Sequence, residues 1–160
     1  MTGLREFLLA CVAEDEEAAR AAAIGPWRVD YEEDDLQVLA GNNEVLFDNE
    51  GALPPGPEDW RHIVRWNPAR VLAECGAKRR IIARHDEVVA ELDAAQAQFD
   101  RAAKATAGDE TALRAERLEL RDRIRSLRGI RAGLRDALYA LAAVYADRPG
   151  YRPEWAAWMG

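Results

Sequence analysis

Two runs of apolar residues, spaced alternately three and four apart, dominate the second half of the chain. The first holds Val71, Lys78, His85, Leu92 and Phe99 with Cys75, Ile82, Val89, Gln96 and Ala103. The second holds Leu113, Leu120, Leu127, Leu134 and Leu141 with Arg117, Ile124, Arg131, Leu138 and Tyr145. Such a stripe follows one side of a helix and is covered by a neighbouring helix. Asn67 and Pro68 are a helix start, cap followed by first-position proline, and Asp109 caps a second helix just after a break at 104–109. The pattern predicts a long antiparallel, coiled-coil-like helical hairpin over 67–146, with a tip projecting at about 95–118.

Upstream, residues 1–24 read as an amphipathic helix. Leu4, Phe7, Leu8, Cys11, Val12, Ala18, Ala19 and Ala22 share one face, and Gly25-Pro26 ends it. The period then shortens to two. Trp27, Val29 and Tyr31, then 36–40 and 44–47, separated by acidic and Gly-Asn-Asn breaks, predict an antiparallel β-meander over 27–48. A loop at 49–57 and a short helix at 58–65 presenting Trp60 follow. Residues 147–160 form an aromatic tail with Tyr151, Trp155 and Trp158. The expected fold is mainly α: one domain over 1–160, with the N-terminal helix and the small meander packed at the base of the hairpin.

Polar residues interrupt the stripes. At 100° per residue Asp15 falls in the middle of the first helix's apolar face and Glu14 at its edge. Glu74, Lys78, His85 and Arg131 fall on the inner side of the hairpin. A turn near 106 sets Val89 opposite Ile124, Leu92 opposite Leu120 and Ile82 opposite Arg131. Buried charge is costly unless paired, so Asp15 is expected to meet Lys78 or Arg131, and Glu74 to pair with Lys78 one turn away. The cluster Glu14, Asp15, Glu74, Lys78, His85 and Arg131 then has two readings. It is an ion-pair network that sets helix register, or a polar pocket able to hold a phosphate or carboxylate, with Glu14 or Asp15 as base or metal ligand. A site shared by both histidines is opposed by distance. His85 lies about 27 Å along the helix from Asn67, whereas the five residues back to His62 span about 17 Å at most. His85 alone reads as a hydrogen-bonded core histidine. Gly129 and Gly133, four apart in the returning helix, are either tolerated glycines or, the preferred reading, mark close approach of another backbone.

Charge is unevenly spread. The chain carries −7 overall, with −12 in residues 1–60 and +5 in 61–160. Residues 114–135 hold eight arginines and three acids. Arg114, Arg117, Arg121, Arg125 and Arg128 form a candidate interaction arm. Either the acidic front half docks on the basic helices, or the arginines meet an acidic partner or nucleic acid.

Several classes are disfavoured. No run of about 18 apolar residues occurs, so no membrane helix is expected, and the N-terminal helix lacks the form of a signal peptide. Cys11 and Cys75 fall on apolar helix faces and read as reduced core residues of a cytoplasmic protein. There is no Cys-x-x-Cys pair, phosphate-binding glycine loop, dinucleotide fingerprint or nucleophile elbow. The four acids at 32–35 lack calcium-loop spacing. No catalytic residue, metal or cofactor is assigned.

Three blocks carry a resemblance: Leu4-Arg-Glu-Phe-Leu with Glu14-Asp-Glu-Glu-Ala-Ala-Arg20; residues 62–85, His-Ile-Val-Arg-Trp-Asn-Pro through Lys-Arg-Arg-Ile-Ile-Ala-Arg-His; and Tyr145-Ala-Asp-Arg-Pro-Gly-Tyr-Arg-Pro-Glu-Trp155. Together they resemble a family of small uncharacterised proteins of actinobacteria and their phages. The resemblance covers the ends and the middle but not 87–128, and it implies no activity. It draws attention to Glu14, Asp15, Glu74, Lys78, Arg79 and His85. The expected role is a non-enzymatic protein-interaction module, with dimerisation through the shared heptad face as one form. The alternatives are a site for a phosphorylated small molecule at the polar cluster, and nucleic-acid binding along the arginine helix.

Overall fold

The computed structural model describes residues 2–32, 35–47, 57–105 and 109–159. The expected loop at 49–57, apart from Pro57, the centre of the break at 106–108, and the acids at 33 and 34 lie outside the described residues, as does the side chain of Trp158. The elements run α1 (Thr2–Ala21), β1 (Arg28–Glu32), β2 (Asp35–Leu39), β3 (Val45–Phe47), α2 (Pro57–Arg65), α3 (Pro68–Lys104) and α4 (Glu110–Ala143), closed by a 3-10 helix, Pro153–Met159. The fold is mainly α with a three-stranded antiparallel sheet, and α3 and α4 pack against each other. The chain divides into two compact units, one of residues 9–79 and one of residues 1–8 with 80–160.

In the 9–79 unit the sheet is the expected meander, in the order β1-β2-β3. Val29 pairs with Val38 and Arg28 with Leu39, while a bulge sits between Val38 and Leu39 where β3 joins. Val38, Leu39 and Ala40 are all buried, so the end of β2 is covered on both faces. The turn after it contains Asn43 at φ 66°, a left-handed conformation that asparagine tolerates. At Gly41 the chain approaches itself: its N–H donates to the Ile24 carbonyl at 2.6 Å, and an added Cβ would lie 2.8 Å from the Gly25 oxygen. Only glycine fits there. Trp60 of α2 is buried, with Phe47 at 6.4 Å between ring centroids. The start of α3 is capped as its sequence implies, since the Ala69 and Arg70 N–H groups donate to Asn67 Oδ1 at 3.0 and 3.3 Å.

The other unit holds the hairpin. Asp109 caps α4 by accepting from the Thr111 N–H at 2.9 Å. The core between the two helices is Val88, Leu92 and Ala95 of α3 with Ile124 and Leu127 of α4, extended by Phe99 and Leu134. Each fully buried aliphatic contributes about 1.5–3 kcal/mol through the water it sheds. Cys75, Ile82, His85 and Leu92 are buried as the heptads predict, but from Val88 on one line of the buried face shifts by a residue. Val88, Ala95 and Ala102 are buried where the strict heptads place Val89, Gln96 and Ala103. This seats α4 on an apolar line and leaves the Gln96 amide at the rim, avoiding the cost of drying it. At the far end of α4 the aromatic tail folds back: Phe7 lies 5.0 Å from Trp155, 6.1 Å from Tyr151 and 6.5 Å from Tyr145, ring to ring. Gly129 and Gly133 correct another expectation. An added Cβ at either meets nothing within 4 Å, so no backbone of the described residues packs there.

Candidate functional site

The six residues of the expected polar cluster are divided between the units. In the 9–79 unit, Asp15 and Lys78 form the anticipated pair at 3.7 Å, both sheltered from solvent. Glu74 instead pairs with Arg70, one turn earlier, at 3.0 Å. Glu14 is exposed. The strongest polar contact of this unit was not anticipated. Glu16 is buried and accepts from Arg79 Nε at 2.8 Å and Arg79 Nη2 at 3.0 Å, a two-pronged clasp, while Arg20 Nη2 reaches its second oxygen at 3.1 Å. The Arg79 hydrogen bonds, helped by those of Arg20 and opposed by burial, hold the Glu16 carboxyl down at about 2. The signal was in the sequence: Leu4, Leu8, Val12 and Glu16 are each four apart, so Glu16 continues the most buried line of α1. Cys75 is buried nearby, and burial pushes its thiol up, which keeps it a protonated core residue rather than a nucleophile.

In the other unit His85 and Arg131 line one cleft of about 650 Å³, together with Leu4, Arg5, Asp86 and Leu138. Arg131, expected on the inner side, is exposed. By periodicity it sits on the buried side of α4, but the cleft opens the hairpin core there, and its long stem carries the charge out to water. His85 is buried, with Nδ1 3.6 Å from Asp86 Oδ1 and Nε2 without a hydrogen-bond partner among the described residues, so the hydrogen bond expected of it is not made at that nitrogen. Asp86 is engaged by Arg5 Nε at 2.7 Å. The cleft thus mixes both signs of charge, and one of its carboxylates, Asp86, is already committed to an arginine.

The arginine arm separates into two roles. Arg117 is half-buried and turned inward: its Nε donates to the Ala102 carbonyl at 2.9 Å and its Nη2 to that of Ala105 at 3.1 Å. It caps the C-terminal end of α3, where carbonyls lack helical donors and the helix dipole favours a cation. Arg114, Arg121, Arg125 and Arg128 are exposed. Three of them line a groove of about 460 Å³ along the seam of the hairpin, with Gln96 and Phe99 from α3 and Ile124 at its base. Arg128 Nη2 donates to Gln96 Oε1 at 3.3 Å, and Arg125 is paired with Asp122 at 3.1 Å. Among the described residues no carboxylate lines the groove. Helical spacing alone places Arg121, Arg125 and Arg128 on one side. The α3 wall required the tertiary fold.

A long antiparallel helical hairpin, joined in one chain to a three-stranded meander and bearing an arginine-lined seam, defines the class of this protein. The chain belongs to DUF6221, a family of unknown function, whose match spans residues 1–157 and therefore runs through 87–128 as well. No curated protein and no solved structure matches the chain. Among the described residues no helix is long and apolar enough to cross a membrane.

Proposed function

We propose that the protein is a non-enzymatic, cytoplasmic interaction module whose hairpin takes up an acidic segment of a partner protein in the groove beside Phe99. One observation carries the reading: Arg121, Arg125 and Arg128 converge on a concavity that no carboxylate among the described residues lines, with Phe99 and Ile124 at its floor. Guanidinium groups bind carboxylates in paired, planar contacts, and an apolar floor gives a flanking aliphatic or aromatic side chain somewhere to go. The polar cleft supports a small-molecule site less well, because Asp86 is held by Arg5.

The test is titration of a labelled Glu-rich peptide bearing one Phe into the whole chain at several salt concentrations. Binding that weakens as salt rises and disappears in an Arg121→Glu/Arg128→Glu double variant supports the groove. Tighter binding of a duplex of matched charge, with a steep salt dependence, transfers the arginines to the nucleic-acid reading. Absence of binding to either refutes both.

A further inference from the structure

We infer that the cleft beside His85 is a binding site for a zwitterion with an apolar body, of the class of a free α-amino acid with a large aliphatic or aromatic side chain. The cleft lies wholly within the unit of residues 1–8 and 80–160. Its walls are the start of α1 and the facing stretches of α3 and α4. Arg128 of α4 reaches Gln96 of α3. The two helices run in opposite directions, so Arg131 comes level with Asp93, Arg135 with Val89 and Leu138 with Asp86. All six of these residues line the cleft. Its floor is apolar: Leu4 and Leu138 are buried, and Val89 is half-buried. Ala90 stands between Asp86 and Asp93 on the same side of α3, and its single methyl group leaves the cleft open. A volume of about 650 Å³ is in the range of pockets that take small molecules.

The charges select the ligand. Among the lining residues Arg5, Arg131 and Arg135 balance Glu6, Asp86 and Asp93, so the site as a whole favours neither a simple anion nor a simple cation. At the base end Arg5 holds Asp86 at 2.7 Å, which counts against a phosphorylated ligand there. The opposite end is open. Asp93 and Arg131 are exposed and level with each other, yet neither makes an ion pair or a hydrogen bond among the described residues. A carboxylate and a guanidinium facing across a gap suit a molecule that carries the complementary pair, its ammonium toward Asp93 and its carboxylate toward Arg131. Arg135, one turn from Arg131, puts a second guanidinium on the same wall. Its contact with Asp136, at 3.5 Å to a side chain 60% exposed, is a weak surface pair. The apolar part of the ligand then covers Leu4, Val89 and Leu138, shedding water from both.

Calorimetric titration of the intact chain with L-phenylalanine and with L-leucine should give a dissociation constant on the order of 0.1–1 mM for at least one of them. N-acetyl-L-phenylalanine, which lacks the ammonium, and L-phenylalanine amide, which lacks the carboxylate, should each bind at least about tenfold more weakly than L-phenylalanine. Asp93→Asn should weaken L-phenylalanine about tenfold and leave phenylpropanoate, which has no ammonium, no weaker than before. Arg131→Gln should weaken both. Ala90→Phe, which fills the cleft from an exposed position, should abolish binding without lowering the thermal melt of the free chain. No binding of either amino acid at concentrations about tenfold above that range, tighter binding of phenylpropanoate or inorganic phosphate than of L-phenylalanine, or an affinity indifferent to Asp93→Asn or to Ala90→Phe would each overturn the inference.

Discussion

Arg117 is the residue whose removal tests the hairpin most directly. It occupies an inner heptad position, where an arginine is ordinarily a liability, yet both prongs of its guanidinium end on carbonyls at the close of α3. Arg117→Met keeps the apolar stem and deletes the two hydrogen bonds and the charge. A hydrogen bond from a charged donor contributes roughly 1.5–3 kcal/mol when sheltered. This site is half-buried, so about 1 kcal/mol for each bond is the fitting scale. The cation at a helix C-terminus adds about 0.3–1 kcal/mol. The expected loss is therefore about 2–3 kcal/mol. For a chain of this size each kcal/mol moves Tm by roughly 2–4 °C, so a fall of about 4–12 °C is anticipated. Arg117→Lys, which keeps the charge but cannot reach both carbonyls at once, should lose about half as much. The assay is urea unfolding with the slope checked for constancy, accompanied by amide exchange at the last turn of α3, which should lose protection first. Arg121→Met, an exposed arginine one turn further along, serves as control. If Arg117→Met costs no more than that control, or if exchange at the end of α3 is unchanged, the capping argument is wrong.

Glu16 supplies the acid limb of stability. Its folded carboxyl sits at about 2 against an ordinary 4.5, so its contribution is complete above that ordinary value and is lost as the pH falls from about 4.5 to about 2. Thermal melts across that window should fall more steeply for the natural chain than for Glu16→Gln, and parallel curves would contradict the clasp by Arg79. His85 buries Nε2 with no partner among the described residues, a penalty of roughly 1–3 kcal/mol that an apolar side chain avoids. His85→Met should therefore match or exceed the natural stability in urea, and a marked loss would mean that the ring is satisfied in solution. Gly129 has open space where a Cβ would point, so Gly129→Ala should raise helix stability by about 1 kcal/mol, read as a higher Tm in a dilute sample. A fall there would mean that something does pack against that face.

Much of the architecture was legible along the chain because it rests on local rules. Period-two spacing marks the meander, the three-four spacing marks the hairpin, and Asn67-Pro68 and Asp109 mark two helix starts through hydrogen bonds only a few residues long. The pairing of Asp15 with Lys78 was legible for a related reason, since a carboxylate in the middle of an apolar face needs a cation. What escaped was decided by which neighbour arrives. The strict heptads put Val89 and Gln96 on the covered line of α3, whereas α4 covers Val88 and Ala95, which bring no amide to dry. Arg117 and Arg131 share the same stripe of α4 and are indistinguishable by spacing. One is drawn in by the carbonyls at the end of α3, while the other opens onto a cleft.

By itself, then, the order of residues determined the elements, their caps and the presence of charge on apolar faces, because helix and strand periods and capping act over a single turn. Only the tertiary structure decided that Glu16 is clasped by Arg79, that Phe99 joins three arginines in one groove, and that Gly129 and Gly133 face open space among the described residues. Each of these depends on residues from distant parts of the chain meeting, or failing to meet, in space, and no local spacing encodes that.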